Sequence, residues 1–328
     1  MVKLIVQIPC FNEEKNLPPT VADIPRAIEG VDEIEILVID DGSTDRTSEV
    51  ARDIGVDHIV RNKNNKGLAR SFRRGIDACL SAGADIIVNT DGDNQYVGAD
   101  IAALVRPIVE EKADIVVGDR QTASHPYFTP AKRKLQRLGS FAVRSLSGVD
   151  VPDAVSGFRA ISRDAALQLN IVSPFSYTIE MLIQANRKHL AITSVPVSCN
   201  PPSRPSRLIK SLPRFIERSV STMLRMFMMY QPMRVFFSIG AVASLIGLVP
   251  IVRFLYFAST GQGDGHIQSL ILGGTLLTIG FVTFIVGMVA DLINFNRQLI
   301  EMTLERVKRI ELEQAERNSK ATSGGDRS

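Results

Sequence analysis

Two apolar runs near the C-terminal end, Val235–Phe257 and Ile267–Phe295, constrain the fold more than any other feature of the chain. A bilayer's hydrocarbon core takes about 20 consecutive apolar residues as helix, and each run supplies them with one charge toward an end. Those charges are Arg253, whose long stem can snorkel to the interface, and Asp291. A helix buried in a soluble core is the competing and weaker reading. The loop between the runs, Ser259–His266, has no Lys or Arg, whereas Arg225 and Arg234 precede the first run and Arg297, Arg306, Lys308 and Arg309 follow the second. By the positive-inside rule both flanks belong to the cytoplasm. The chain opens directly on a strand-like segment, Leu4–Ile8, with no basic and then apolar leader. The expected arrangement is an integral inner-membrane protein with two spans, a cytoplasmic front domain and both termini cytoplasmic.

Composition removes several classes. Cys10, Cys79 and Cys199 are far apart, odd in number and form no CxxC pair, so neither a disulfide framework nor a zinc site is supported. The four histidines lack HxxxH spacing, and a net charge of +3 on 328 residues is too balanced for a nucleic-acid partner.

In the first half, short β-rich runs (Leu4–Ile8, Ile34–Asp40, His58–Arg61, Asp85–Asp91, Asp114–Gly118) alternate with helical patterns such as Gly67–Ala82 and Asp100–Lys112. That alternation implies an α/β domain with a mainly parallel, Rossmann-like sheet covered on both faces. Ligands of such sheets bind beyond the carboxyl ends of the strands. Polar clusters fall at those ends: Pro9-Cys10-Phe11-Asn12-Glu13, Asp40-Asp41-Gly42-Ser43 and Asp91-Gly92-Asp93-Asn94-Gln95. No GxGxxG follows the first strand, and Asn64-Asn65-Lys66-Gly67 lacks the spacing of a P-loop. A bound diphosphate would then need positive charge from elsewhere, and Mg²⁺ or Mn²⁺ held by Asp91 and Asp93 would supply it.

Together the segments Ile8-Pro9-Cys10-Phe11-Asn12-Glu13-Glu14, Val38-Ile39-Asp40-Asp41-Gly42-Ser43-Thr44-Asp45, Asn65-Lys66-Gly67, Asp91-Gly92-Asp93-Asn94-Gln95 and Ser156-Gly157-Phe158-Arg159 resemble the inverting GT-A glycosyltransferases that make polyprenyl-phosphate sugars. Bactoprenol glucosyltransferases and dolichol-phosphate mannose synthases are members, and the resemblance covers nearly the whole chain. It implies that Pro9, Phe11, Glu13 and Asp40 line a nucleotide-sugar pocket with Asp41 and Lys66 nearby. It further implies that Asp91, Asp93 and Gln95 bind a metal and the diphosphate. Asp153 resembles the acidic residue that sits beside the acceptor in this fold.

The chemistry of sugar transfer leads to the same residue types. Expelling a nucleoside diphosphate from an anomeric carbon builds negative charge on the leaving group, which a cation stabilises. An alcohol acceptor needs a general base. A lipid phosphate needs none, because its second pKa is about 6, but two anions must then be held close together. Basic residues stand where that would be done: Arg120 after the Asp114–Gly118 run, Lys132, Arg133, Lys134 and Arg137, and Arg204, Arg207 and Lys210 before the first span. A solvated helix face near anionic lipid explains many of these equally well. Arg120 and Arg133, with Arg204 behind them, are the candidates for the acceptor phosphate, and Asp93, Asp153 and Arg120 for catalysis.

The remaining segments complete the expected map: a catalytic domain over residues 1–212, amphipathic interfacial helices over 213–234, a two-helix membrane domain over 235–295, and a cytoplasmic helix over 296–318. A disordered tail over 319–328 ends it. Ile300, Leu304, Val307 and Ile310 near helical spacing predict a homo-oligomer. The expected partners are a nucleotide sugar, polyprenyl phosphate and the bilayer, with UDP-glucose as donor and a GDP-mannose user as the alternative. A processive polysaccharide synthase is disfavoured, because a Gln-x-x-Arg-Trp motif is impossible in a chain with no tryptophan. A non-catalytic nucleotide-sugar-binding module is disfavoured by the intact motifs.

Overall fold

The computed structural model describes residues 1–121, 148–172, 177–201, 228–261 and 263–325, with residues 140, 144, 221, 224 and 225. The chain forms two units, residues 1–210 with 304–328, and residues 211–303.

The first unit is built on a seven-stranded sheet of order β3-β2-β1-β4-β6-β5-β7. Its strands are β1 (Lys3–Cys10), β2 (Glu33–Asp40), β3 (His58–Arg61), β4 (Ile86–Asn89), β5 (Ile115–Asp119), β6 (Arg159–Ser162) and β7 (Ile192–Pro196). β1 reads Lys-Leu-Ile-Val-Gln-Ile-Pro-Cys and is buried from Leu4 onward. Such a run without alternation is what a central strand covered on both faces requires. β1 pairs in parallel with β2 on one side and β4 on the other. The chain thus winds outward through β2 and β3, then returns to the opposite side of β1. The β1–β4 boundary is the switch point of the sheet, where a crevice opens at the carboxyl ends of the strands.

β6 is the exception to the parallel order, antiparallel to both β4 and β5. The run Arg159–Ser162 is too short and irregular to announce itself in the sequence, and β7 is only half-buried. Their directions matter: an antiparallel β6 begins at the edge where β4 and β5 end, so the residues just before it are delivered to the crevice. Helices α1 (Leu17–Ala22), α2 (Thr47–Asp53), α3 (Leu68–Ser81), α4 (Ile101–Val109), α5 (Arg163–Gln168) and α6 (Tyr177–Arg187) accompany the sheet. In α3, Ala69, Phe72, Ile76, Cys79 and Leu80 form the buried face at helical spacing. Ser162 caps α5, its Oγ accepting the Ala165 N–H at 3.2 Å.

The second unit contains α7 (Pro232–Ser259) and the first part of α8 (Ile267–Gly325). Both are long and apolar enough to cross a membrane. They run antiparallel along a seam of glycines. A Cβ on Gly240 would lie 2.8 Å from the Gly280 carbonyl oxygen, and one on Gly247 3.0 Å from that of Gly273. One on Gly287 would lie 2.8 Å from Phe236 Cβ. The seven-residue spacing of Gly240 and Gly247, and of Gly273, Gly280 and Gly287, keeps one stripe of each helix bare enough for backbones to touch, the usual basis of helix association in lipid.

The second apolar run and the following charged segment form one uninterrupted helix, so no break separates 267–295 from 296–318. The same helix continues to Gly325, past the start of the tail that composition sets at 319, because adding residues to a formed helix costs far less than starting one. Its last part, from Leu304, belongs to the first unit, where Lys308 Nζ lies 3.0 Å from Asp77 of α3 and Arg309 3.1 Å from Asp164 of α5. Most of the interfacial segment 213–230, and with it Arg204, Arg207 and Lys210, lies outside the described residues.

Candidate active site

After β1 the chain turns through Asn12, whose φ of 56° is a left-handed conformation that asparagine tolerates. The loop is stitched to the one after β2. Asn12 N–H donates to Ser43 Oγ at 2.9 Å, Thr44 N–H donates to Asn12 Oδ1 at 2.8 Å, and Glu13 N–H donates to Thr47 Oγ1 at 2.9 Å. Glu13 is buried and accepts from Asn16 Nδ2 at 2.8 Å. Pro9 sits inside β1 opposite Ile39, and Phe11 is half-buried at the loop's start.

Asp40 and Asp41 both turn inward. Asp40 is fully buried, accepts the Ser43 N–H at 2.7 Å and the Ser48 hydroxyl, and lies 3.4 Å from Arg61. Asp41 gathers the 62–67 loop, accepting from Asn62 Nδ2 at 2.7 Å, Lys66 N–H at 2.9 Å and Gly67 N–H at 2.8 Å. Gly42, at φ +74°, lets that loop close, since a Cβ there would come within 2.5 Å of the Asn64 backbone. These two carboxylates therefore brace the loops at the sheet edge, while the Lys66 side chain stays exposed.

At the end of β4 the Asp91-Gly92-Asp93 turn presses against β1: a Cβ on Gly92 would lie 2.8 Å from Cys10 Sγ. Asp93 Oδ1 accepts the Gln95 N–H at 3.2 Å, and the Gln95 carbonyl accepts the Asn200 N–H at 2.8 Å. Burial, reinforced by the neighbouring Asp93 and opposed by Arg120, pushes the Asp91 carboxyl up to about 7. Asn94 Oδ1 is buried with no hydrogen-bond partner among the described residues. Two carboxylates and an unsatisfied amide oxygen on one turn are hard donors of the kind Mg²⁺ or Mn²⁺ prefers. A cation would also offset the burial and the repulsion that together raise Asp91. Among the described residues no third His, Cys, Asp or Glu converges there.

The loop before β6 closes the site from the other side. A Cβ on Gly157 would lie 3.3 Å from Asp91 Oδ1 and 2.9 Å from the Tyr177 hydroxyl. Arg120, one residue past β5, and Asp153 form a buried two-pronged pair, with Nε to Oδ2 at 2.6 Å and Nη2 to Oδ1 at 3.0 Å. Burial opposes the charge on Arg120, but Tyr96 and Asp153 outweigh it and hold its pKa above the ordinary value. Both Asp153 carboxylate oxygens are thereby engaged by Arg120, which the pair holds in one orientation. Arg133 lies outside the described residues.

A buried polar chain supports this arrangement. Gln7 Nε2 in β1 donates to Asn89 Oδ1 in β4 at 3.0 Å, and Asn89 Nδ2 donates to the Gly157 carbonyl at 2.8 Å. Tyr177 stacks on Phe72 with centroids 4.0 Å apart, and Tyr96 on Phe158 at 4.7 Å. The one available hint was a polar residue inside each of two apolar strands, Gln7 and Asn89.

The glycosyl transferase family 2 model matches residues 5–169. Among curated relatives, the UDP-N-acetylglucosamine–dolichyl-phosphate N-acetylglucosaminyltransferase of Methanococcus voltae is 29% identical over 211 residues, covering 58% of this chain and 82% of the relative. The polyprenol monophosphomannose synthase of Mycolicibacterium smegmatis is 25% identical over 207 residues, covering 60% and 77%. Among solved structures, glucosyl-3-phosphoglycerate synthase of Mycobacterium tuberculosis with Mn²⁺, UDP-glucose and phosphoglyceric acid superposes with a TM-score of 0.54 at 22% identity, covering 69% of this chain and 79% of that one. At that identity the likeness establishes the fold.

Proposed function

The chain belongs to glycosyl transferase family 2, and from that premise we propose that it transfers a hexose from a nucleotide diphosphate donor to polyprenyl phosphate, with inversion at the anomeric carbon. The observation that carries the reading is the buried Arg120–Asp153 pair beside the Asp91-Gly92-Asp93 turn. It sets a fixed cation next to a diacid turn at the switch point, as an acceptor that arrives already ionised requires. The polyprenol and dolichyl-phosphate acceptors in the two relatives' names support the same acceptor class.

In the step, an acceptor phosphate oxygen forms a bond to the anomeric carbon as the bond from that carbon to the donor diphosphate breaks, and the electron pair leaves with the diphosphate. No proton need move. Asp91 and Asp93 would hold Mg²⁺ or Mn²⁺, with Gln95 beside them, and the bound cation supplies counter-charge to the leaving diphosphate. Arg120 brings acceptor phosphate into line, which lowers the barrier through proximity rather than chemistry. Pro9, Phe11, Glu13 and Lys66 line the nucleotide pocket whose walls Asp40 and Asp41 brace. Arg133 and Arg204 remain candidates for further acceptor contacts, and the two apolar helices anchor the enzyme where its lipid substrate lies, with the catalytic unit cytoplasmic. We assign UDP-glucose as donor.

The test is to incubate purified full-length protein in vesicles containing polyprenyl monophosphate with labelled UDP-glucose, UDP-N-acetylglucosamine and GDP-mannose. Label in the lipid phase from UDP-glucose supports the assignment. Label from another sugar alone corrects the donor, and none from any donor rejects the reaction.

A further inference from the structure

Among the described residues Arg159 is the largest fully buried side chain, at 0% exposure. Its partners are not carboxylates. Nε donates to the Ser156 carbonyl at 2.8 Å, Nη2 to the Ala154 carbonyl at 2.7 Å and Nη1 to the Thr178 carbonyl at 2.9 Å, with Met181 Sδ at 3.3 Å from Nη1. Burying a charge with no counter-ion in contact is costly, and an apolar side chain of like volume is often neutral or stabilising at such a place. Stability is therefore a poor reason for an arginine here. The three carbonyls explain it better, because two belong to the loop 153–157 and the third to the first turn of α6. The ends of that loop carry the groups that matter: Asp153 gripping Arg120, and Gly157 against Asp91. Only a planar fork with five donors reaches carbonyls in three directions at once, and a lysine ammonium on a single stem does not.

We propose that Arg159 is a positioning residue for acceptor phosphate, its buried guanidinium tying loop 153–157 to α6 so that Asp153 holds Arg120 in line with the reacting centre. The proposal rests on the phosphate-acceptor reading above. Arg159 touches neither substrate, and it acts through Asp153 and Arg120.

The experiment uses the full-length protein in detergent with farnesyl phosphate as acceptor probe, and compares Arg159→Lys, Arg120→Lys and the double variant for acceptor KM, kcat, and UDP and GDP affinity. The expected result is a rise of about tenfold or more in acceptor KM for Arg159→Lys, nucleotide affinity within about twofold of wild type, and a further change under about twofold when Arg120 is already lysine, as residues acting through one contact do not add. Full additivity of the two substitutions overturns the proposal, as does an equal loss of nucleotide affinity. Failure of Arg159→Lys to yield a folded, nucleotide-binding protein also overturns it, since Arg159 would then be a stability residue. Absence of farnesyl-phosphate transfer by the wild-type protein is a different outcome, which removes the acceptor reading on which the proposal stands.

Discussion

Glycine does opposite work in the two units. Along α7 and α8, Gly240, Gly247, Gly273, Gly280 and Gly287 remove side chains so that two apolar helices can touch, and nothing chemical is gained at the contact. At the sheet edge, Gly92 and Gly157 remove side chains so that backbone can approach Cys10 and the Asp91 carboxylate. The first use makes a scaffold, the second a site. Their surroundings differ in the same sense: the sheet edge buries Asp40, Asn89, Asp153 and Arg159 with their hydrogen bonds met, while the described helix pair buries almost no polar group. Polar burial is expensive unless satisfied, and it is concentrated where chemistry is proposed.

That contrast can be broken by substitution. The largest effect is expected at the diacid turn: Asp93→Ala, or chelation of divalent metal from the wild-type protein, should lower transfer by about 100-fold or more while the protein still folds and inserts, the usual scale for losing a charge stabiliser. Labelled-sugar transfer measured with the far-ultraviolet spectrum of the purified variant checks it, and near-wild-type turnover without metal would refute the assignment. Next comes Arg120→Lys, which should weaken acceptor use by about ten- to a hundredfold, corresponding to a charge-assisted contact of about 1.5–3 kcal/mol. Donor affinity, followed by titration with UDP, should hold.

The helix seam should behave differently. Gly280→Leu drives a side chain into Ser244 and the Gly240 carbonyl, an overpacking that costs about 1–3 kcal/mol. Thermal denaturation in detergent should register this in the helical unit while UDP binding remains unchanged. A lost UDP signal would mean that the two regions are not separable. The smallest effect is expected from Lys308→Ala, which breaks the ion pair with Asp77. Pairs with a partner as open as Asp77 are worth about 0–1 kcal/mol, so midpoint and turnover should barely move.

Much of this division was legible in the sequence, for definite reasons. Long β-branched runs such as Leu4–Ile8 and Ile34–Asp40 announce central strands, and the two long apolar helices announce themselves by length. Acidic residues at strand ends, above all Asp91 and Asp93, mark the edge where a ligand would bind. Direction was not legible. Asp40 and Asp41 have the residue type of ligand-binding groups, yet their carboxylates face the loops they hold together. Arg120 is recognisable as a candidate, but its clamp lies 33 residues away in Asp153 and is joined to it only by folding. β6 escaped because four residues with a buried arginine have no strand-like pattern, and its antiparallel sense is a tertiary fact. The glycines of the seam are visible in the chain, but which glycine meets which is set by the packing.

On the proposed reaction, the switch-point crevice passes sugar to an acceptor that is already an anion. The most direct measurement is transfer by the full-length protein in vesicles containing either polyprenyl monophosphate or the same polyprenol without its phosphate, at matched donor and metal. Label confined to the phosphorylated lipid, lost with Asp93→Ala and changing little from pH 7 to 9, is the predicted result. Equal labelling of the free alcohol, or a rate that climbs steeply with pH as a base ionises, would contradict it.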